Sequence, residues 1–181
     1  LTIYAPDHPR LLALITGACA AAGANIAGAQ IFTTTDGMAL DTILLQREFG
    51  NEEDEKRRAL RVADTVTKAL RGQLRLKEAM AQARKPEYRA NAFEVEPRVI
   101  IDNTSSNMHT VIEINGLDRV GLLHHLTDAL FQLNLNIVSA HITTFGEKVI
   151  DVFYVTDLTG GKIENEARHK RIEQALTSVL T

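Results

Sequence analysis

The sequence predicts an α+β fold: two copies of one small βαββα module in tandem, each an antiparallel sheet with two helices packed on one face. Three observations predict it. The chain repeats itself, each copy switches between strand and helix periodicity in the same order, and turn-forming residues sit at the same junctions. Sliding the chain by 111 positions lays Ile3 on Ile114, Asp7 on Asp118, Leu11-Leu12 on Leu122-Leu123 and Thr16 on Thr127. The same shift lays Asn25-Ile26 on Asn136-Ile137, Ala29 on Ala140 and Ile31 on Ile142; after one extra residue near Thr35, Asp41 falls on Asp151. Matches in this order, broken once and in a turn, mark a duplicated unit.

Each copy opens on an apolar run, Leu1–Tyr4 or Thr110–Ile114, that reads as a strand. A polar turn follows, Asp7-His8-Pro9-Arg10 or Asp118-Arg119-Val120-Gly121. The next helix places Leu11, Leu14, Ile15, Ala18 and Ala22 on one face in the first copy, and Leu122, Leu123, Leu126, Leu130 and Leu133 in the second. It stops at Gly23 or Asn134, residues that tolerate a left-handed terminus. Two strands then alternate around a hairpin turn, Ile26–Thr34 and Met38–Gln46 about Asp36-Gly37, or Ile137–Phe145 and Val149–Thr156 about Gly146-Glu147. A second helix ends each unit. Glu52–Arg71 carries Leu60, Ala63, Val66 and Leu70 at helical spacing, and Glu164–Leu180 carries Ile172, Ala175, Leu176 and Val179.

Between the copies, Leu76–Ala83 reads as a short helix, Lys85–Ala92 as a polar connector and Phe93–Asp102 as one more strand, with Thr104–Asn107 turning into the strand at Thr110. We assign that extra strand to the second module, because a βαββα sheet otherwise leaves an uncovered edge and nothing follows the final helix. The domains are then 1–84, a linker 85–92, and 93–181. In the competing assignment the strand closes the first module. The chain starts inside a strand without Met, so we expect more protein upstream, including the first module's own leading strand.

Net charge is -3, which gives no basic field for a nucleic-acid backbone, and the absence of Trp leaves few platforms for base stacking. No run approaches the roughly 18–20 apolar residues of a membrane span. One cysteine, Cys19, cannot pair within the chain, which suits a reducing cytoplasm. Set among Ala18, Ala20, Ala21 and Ala22, it reads as a packed, inert thiol. His124 and Asp128 lie one helical turn apart beside His125, but the first copy repeats neither and no third ligand is evident, so a metal site is not expected. The acidic-then-basic run Glu52–Arg58 suits a helix start and needs no ligand.

The pattern strand, Asp-x-x-Gly-Leu-Leu, helix, Asn-Ile resembles the ACT domain, a ferredoxin-like amino-acid-sensing module; both repeats carry it. Tyr4–Pro9, Arg98–Asn103 and His109–Glu113 are further similar to the C-terminal ACT tandem of the family of bifunctional PII uridylyltransferase/uridylyl-removing enzymes. That resemblance implies a regulatory region that senses glutamine and is coupled to upstream nucleotidyltransferase and phosphohydrolase domains. It implies further that the parent enzyme is Mg-dependent and uses UTP, acts on PII protein in bacterial nitrogen metabolism, and dimerises through ACT–ACT packing. No catalytic set and no cofactor site is expected within these residues. The first copy departs from the motif, with Arg10 where the second keeps Gly121, so the second is the better generic amino-acid site.

The candidate ligand residues are therefore Asp118, Arg119, Val120, Gly121, Leu122, Asn136 and Ile137, with their equivalents Asp7, His8, Pro9, Arg10, Leu11, Asn25 and Ile26. Each turn precedes a helix whose unpaired N–H groups favour an anion such as an amino-acid carboxylate. Asp7 and Asp118 either cap those helices or bind a ligand's ammonium group. Asn25 and Asn136 either shape a turn or present an amide to the ligand. An interaction module without a ligand of its own is the alternative reading, because exposed sheet edges pair readily.

Overall fold

The computed structural model describes residues 1–83 and 95–181. Lys85–Ala92 and the first two residues of the strand expected at Phe93–Asp102 lie outside the described residues. The elements run β1 (Thr2–Pro6), α1 (Leu11–Ala21), β2 (Ile26–Thr33), β3 (Met38–Leu45), α2 (Glu52–Leu70), α3 (Leu76–Gln82), β4 (Arg98–Asp102), β5 (Thr110–Leu117), α4 (Leu122–Gln132), β6 (Leu135–Phe145), β7 (Lys148–Asp157) and α5 (Glu166–Leu180). β4 begins only at Arg98: Pro97 lacks the N–H a ladder needs, and it cuts the alternation read from Val95 onward.

All seven strands form one antiparallel sheet in the order β1-β3-β2-β6-β7-β5-β4. β4 pairs with β5 along Arg98↔Asn115 to Asp102↔Val111. At the other end β1 pairs with β3, and no described strand flanks its outer side. The modules meet where β2 pairs with β6, and the register places Gln30 directly opposite His141, its own repeat equivalent. The helices form a continuous layer over the sheet in the order α2-α1-α4-α5, joined pairwise. The Thr16 and Thr127 hydroxyls, 111 residues apart, stand 3.2 Å from each other between α1 and α4. His124 Nδ1 lies 2.8 Å from the carbonyl oxygen of Ala13, again 111 residues away. The duplicated modules are thus related by a pseudo-two-fold axis, and each presents the same surface to the other.

The backbone irregularities repeat as well. Gly23 (φ 72°) and Asn134 (φ 57°) both end a helix in the left-handed region. β2 slips register between Ile26 and Gly28, and β6 does so at the matching Ile137/Ser139.

Two helices depart from the sequence expectation. α1 is buried on nearly every side, including Ala13, Thr16, Gly17 and Ala20, because α2 flanks it on one side and α3 and α4 on the other. Its small residues let those helices approach: a side chain at Gly17 would meet Leu76 Cδ2 at 2.6 Å. In α2 the buried stripe is Arg58, Val62, Val66 and Ala69, whereas Leu60 is 64% exposed and packs no core. The Arg58 guanidinium donates to the carbonyl of Gln46 at 3.0 Å and pairs with Glu48 and Glu55 at 2.9 and 2.8 Å, which offsets its burial. Cys19 is fully buried and its thiol is pushed up to about 12, inert as expected.

Candidate effector site at the module boundary

The turn after β5 brings the second copy's motif against the first copy. The Asp118 N–H donates to the carbonyl of Glu147 at 2.7 Å, tying the turn to the β6–β7 hairpin. The turn then closes through the Leu122 N–H to the Arg119 carbonyl at 3.0 Å. Gly121 is the N-cap of α4 at φ 81°, a left-handed conformation that L side chains rarely adopt. A Cβ there would face Met80 of α3 at 3.5 Å and Ala20 of α1 at 3.8 Å, both first-module residues.

Into this turn reaches Asn25, from the α1–β2 junction of the first module. Its Nδ2 donates to Gln46 Oε1 at 3.0 Å and to Asp118 Oδ2 at 3.3 Å. Thr16, Ala24, Asn25 and Ile26 of one module and Asp118, Gly121, Leu122 and His124 of the other line a cleft of about 20 Å³. That volume holds a water molecule and no more. Burial raises the Asp118 carboxyl, and the Asn25 hydrogen bond opposes the shift. Arg119 turns away to donate to the carbonyl of Val179.

The equivalent turn of the first module is built differently. Arg10, the N-cap of α1, takes the ordinary right-handed conformation at φ -98° and carries no side-chain cap. Its guanidinium lies over the Phe131 ring, 5.8 Å from the centroid, so here too the turn contacts the opposite module. Asp7 Oδ2 accepts from the Thr33 hydroxyl at 2.8 Å, within its own module, and its N–H donates to the Gly37 carbonyl at 3.0 Å. The His8 carbonyl accepts from the Leu11 N–H at 2.9 Å, with Pro9 between them. Leu11 and Leu122 are core residues. Asn136 and Ile137 sit in β6 opposite Thr156 and Val155, outside the cleft that holds Asn25 and Ile26.

The N-cap positions of α1 and α4 are Arg10 and Gly121, and neither residue offers a side-chain cap. His124 and His125 form no metal cluster, and no such group of ligands occurs among the described residues.

The sequence reading passed over two further residues, Asp41 and Asp151. Asp41 stands in the middle of β3 and Asp151 in the middle of β7, and each is 1% exposed. Asp41 Oδ1 and Asp151 Oδ1 are the buried side-chain polar atoms without a hydrogen-bond partner among the described residues. Burial first, and then the charge of Asp7 on one and of Asp118 on the other, pushes each carboxyl up to about 7. The signal was available: an acid occupies an inward phase of an alternating strand, Ala39-Leu40-Asp41-Thr42-Ile43, and recurs at the repeat-matched position.

Two modules of one architecture are joined so that the Asp turn of the second meets the Asn-Ile junction of the first, which defines a paired βαββα tandem. The ACT domain model matches residues 1–59, and the model of the ACR family N-terminal ACT domain matches residues 105–181. The chain belongs to the ACT-domain family, as a tandem of two such domains. Over 180 residues, 99% of its length, it is 55% identical to proteins named bifunctional uridylyltransferase/uridylyl-removing enzyme from Bradyrhizobium sp. strains ORS 278 and BTAi1. It spans 19% of the length of those relatives. A solved structure of an unknown protein from Galdieria sulphuraria aligns over 98% of this chain and 88% of its own, at 12% identity and a TM-score of 0.29, too slight a likeness to bear on fold or function.

Proposed function

We propose that this tandem is the effector-sensing region of a uridylyltransferase/uridylyl-removing enzyme, and that its effector is glutamine. On this reading, glutamine at the module boundary sets the balance between adding UMP to PII protein and removing it. The observation that carries the reading is the cleft in which Asn25 of one module meets Asp118 of the other at the N-terminus of α4. An amino acid brings a carboxylate for the helix N-terminus and an ammonium group for Asp118. Its side-chain amide both donates and accepts, as the amide of Asn25 does. Since the cleft is only about 20 Å³, the ligand must open it by displacing the Asn25–Asp118 contact. Binding then favours a different arrangement of the two modules, which is what a sensor needs. Calorimetric titration of the chain with glutamine, glutamate and other amino acids tests this. Heat with glutamine and a far weaker response to glutamate is expected; a flat trace with glutamine at millimolar concentration contradicts it.

A second reading, as an interaction module, draws on one observation. Tyr4, Leu40 and Phe32 stand side by side across β1, β3 and β2 and are 63%, 42% and 45% exposed. Light scattering separates the two, since dimers that form without ligand and release no binding heat favour the second.

A further inference from the structure

Each module seals one carboxylate between its sheet and the helix layer. Asp41 lies opposite Ile3 on β1 and Ile31 on β2, and Asp151 lies opposite Ile114 on β5 and Ile142 on β6. All four neighbours are buried, so both carboxylates stand on the side of the sheet that the helices cover. The Thr33 hydroxyl that donates to Asp7 Oδ2 belongs to a residue opposite Ala39, two positions from Asp41 on β3, and the charge of each turn Asp acts on the buried Asp of its own module. No ion pair reaches Asp41 or Asp151 among the described residues. One oxygen of each stays without a donor. Buried polar groups are nearly always satisfied, so two orphaned oxygens at repeat-matched positions point to a donor that arrives from outside the chain.

We propose that Asp41 and Asp151 are ammonium-recognition groups, each forming with its turn aspartate, Asp7 or Asp118, a two-carboxylate seat for the cationic end of an amino-acid effector. This rests on the amino-acid-sensing reading above and extends it inward from the turn to the strand beneath. The site then matches both ends of a zwitterion. The first-turn N–H groups of the helix take the ligand carboxylate, and the carboxylate pair takes the three N–H donors of the ammonium group. A ligand without the ammonium group leaves the buried oxygen unpaired, and discrimination of that kind is steep. Raised carboxyls fit such a seat, because each holds a proton until a cation enters.

The test is titration calorimetry on the 181-residue chain with L-glutamine and with 4-carbamoylbutanoate, which is glutamine without its ammonium group. The unaltered chain is expected to bind glutamine and to bind the des-amino compound at least tenfold more weakly. The double variant D41N/D151N is expected to lose at least tenfold in glutamine affinity. A double variant that binds glutamine within twofold of the unaltered chain overturns the seat while leaving amino-acid sensing intact. If the unaltered chain ignores glutamine but binds another amino acid, and the variant loses that one, the seat stands and only the effector's identity changes. If no amino acid binds, both fall. Should the double variant not fold, carbon-13 carboxyl resonances of labelled aspartates in the unaltered chain decide. Glutamine shifts the two buried signals if the seat is real, and leaves both in place if it is not.

Discussion

The two modules share element order, hairpin chemistry, helix-ending left-handed residues and strand bulges, and they meet through the same surfaces. They part at the turn before the first helix. In the second module Gly121 takes φ 81°, which opens the turn toward Asn25, Ala20 and Met80 of the neighbour. In the first, Arg10 takes φ -98° and lays its guanidinium over Phe131. Correspondingly, Asp118 is held from across the boundary by Asn25, whereas Asp7 is held by Thr33 of its own module. The lesson is that duplication preserved the scaffold, packing included, while one residue per copy set the two turns apart in backbone conformation and in what they touch. The buried carboxylates escaped that divergence, since Asp41 and Asp151 are equal in burial and in their unpaired oxygen.

The shared feature breaks most visibly with pH. Both buried carboxyls are raised from 3.8 to about 7, so between those values the folded chain binds protons that the unfolded chain has released. Their contribution to stability is greatest in acid and is lost as pH rises toward 7. From pH 5.5 to 8 each should cost about 2 kcal/mol, so urea midpoints should fall across that range and D41N/D151N should flatten the fall. His125, held low by burial, acts in the opposite direction. Equal flattening by the two single variants would sharpen the claim that this pair is symmetric.

Exchanging the unequal residues tests the divergence. G121R forces a long side chain into the left-handed region, with Met80, Ala20 and His125 within 3.8 Å, and should cost about 2 kcal/mol in urea denaturation together with glutamine binding. The converse R10G loses only an arginine–ring contact and should cost about 0.5–1 kcal/mol. Between these effects lies T16V, which removes the hydroxyl contact on the pseudo-two-fold axis and should cost about 1 kcal/mol in the same assay. If R10G cost more than G121R, the turns would not differ as described.

Much of this was legible in the sequence. The repeat, the helix-ending Gly23 and Asn134, and the hairpin glycines follow from local conformational demands that a side chain satisfies or violates where it stands. Leu60 was misplaced because helical spacing cannot say which of two overlapping stripes the sheet will cover, and Arg58 took the buried position by bringing its own acceptors. The all-round burial of α1 was hidden for a related reason: it depends on α3 and α4 arriving from elsewhere. The site itself was half legible. Its residue types stand out in the sequence, but spacing alone associates each Asp with the Asn-Ile of its own copy. Asn25 meets Asp118 only because β2 pairs with β6 and α1 packs on α4, and no local pattern encodes that pairing.

The central claim is that the receptive site spans the module boundary. Calorimetric titration of glutamine into the unaltered chain, N25A and N136A tests it most directly. N25A is expected to weaken binding about tenfold, the scale of one lost hydrogen bond with a ligand, and N136A to leave the same site within about twofold. Loss of binding in N136A with N25A unchanged would place the site within the second module and contradict the account.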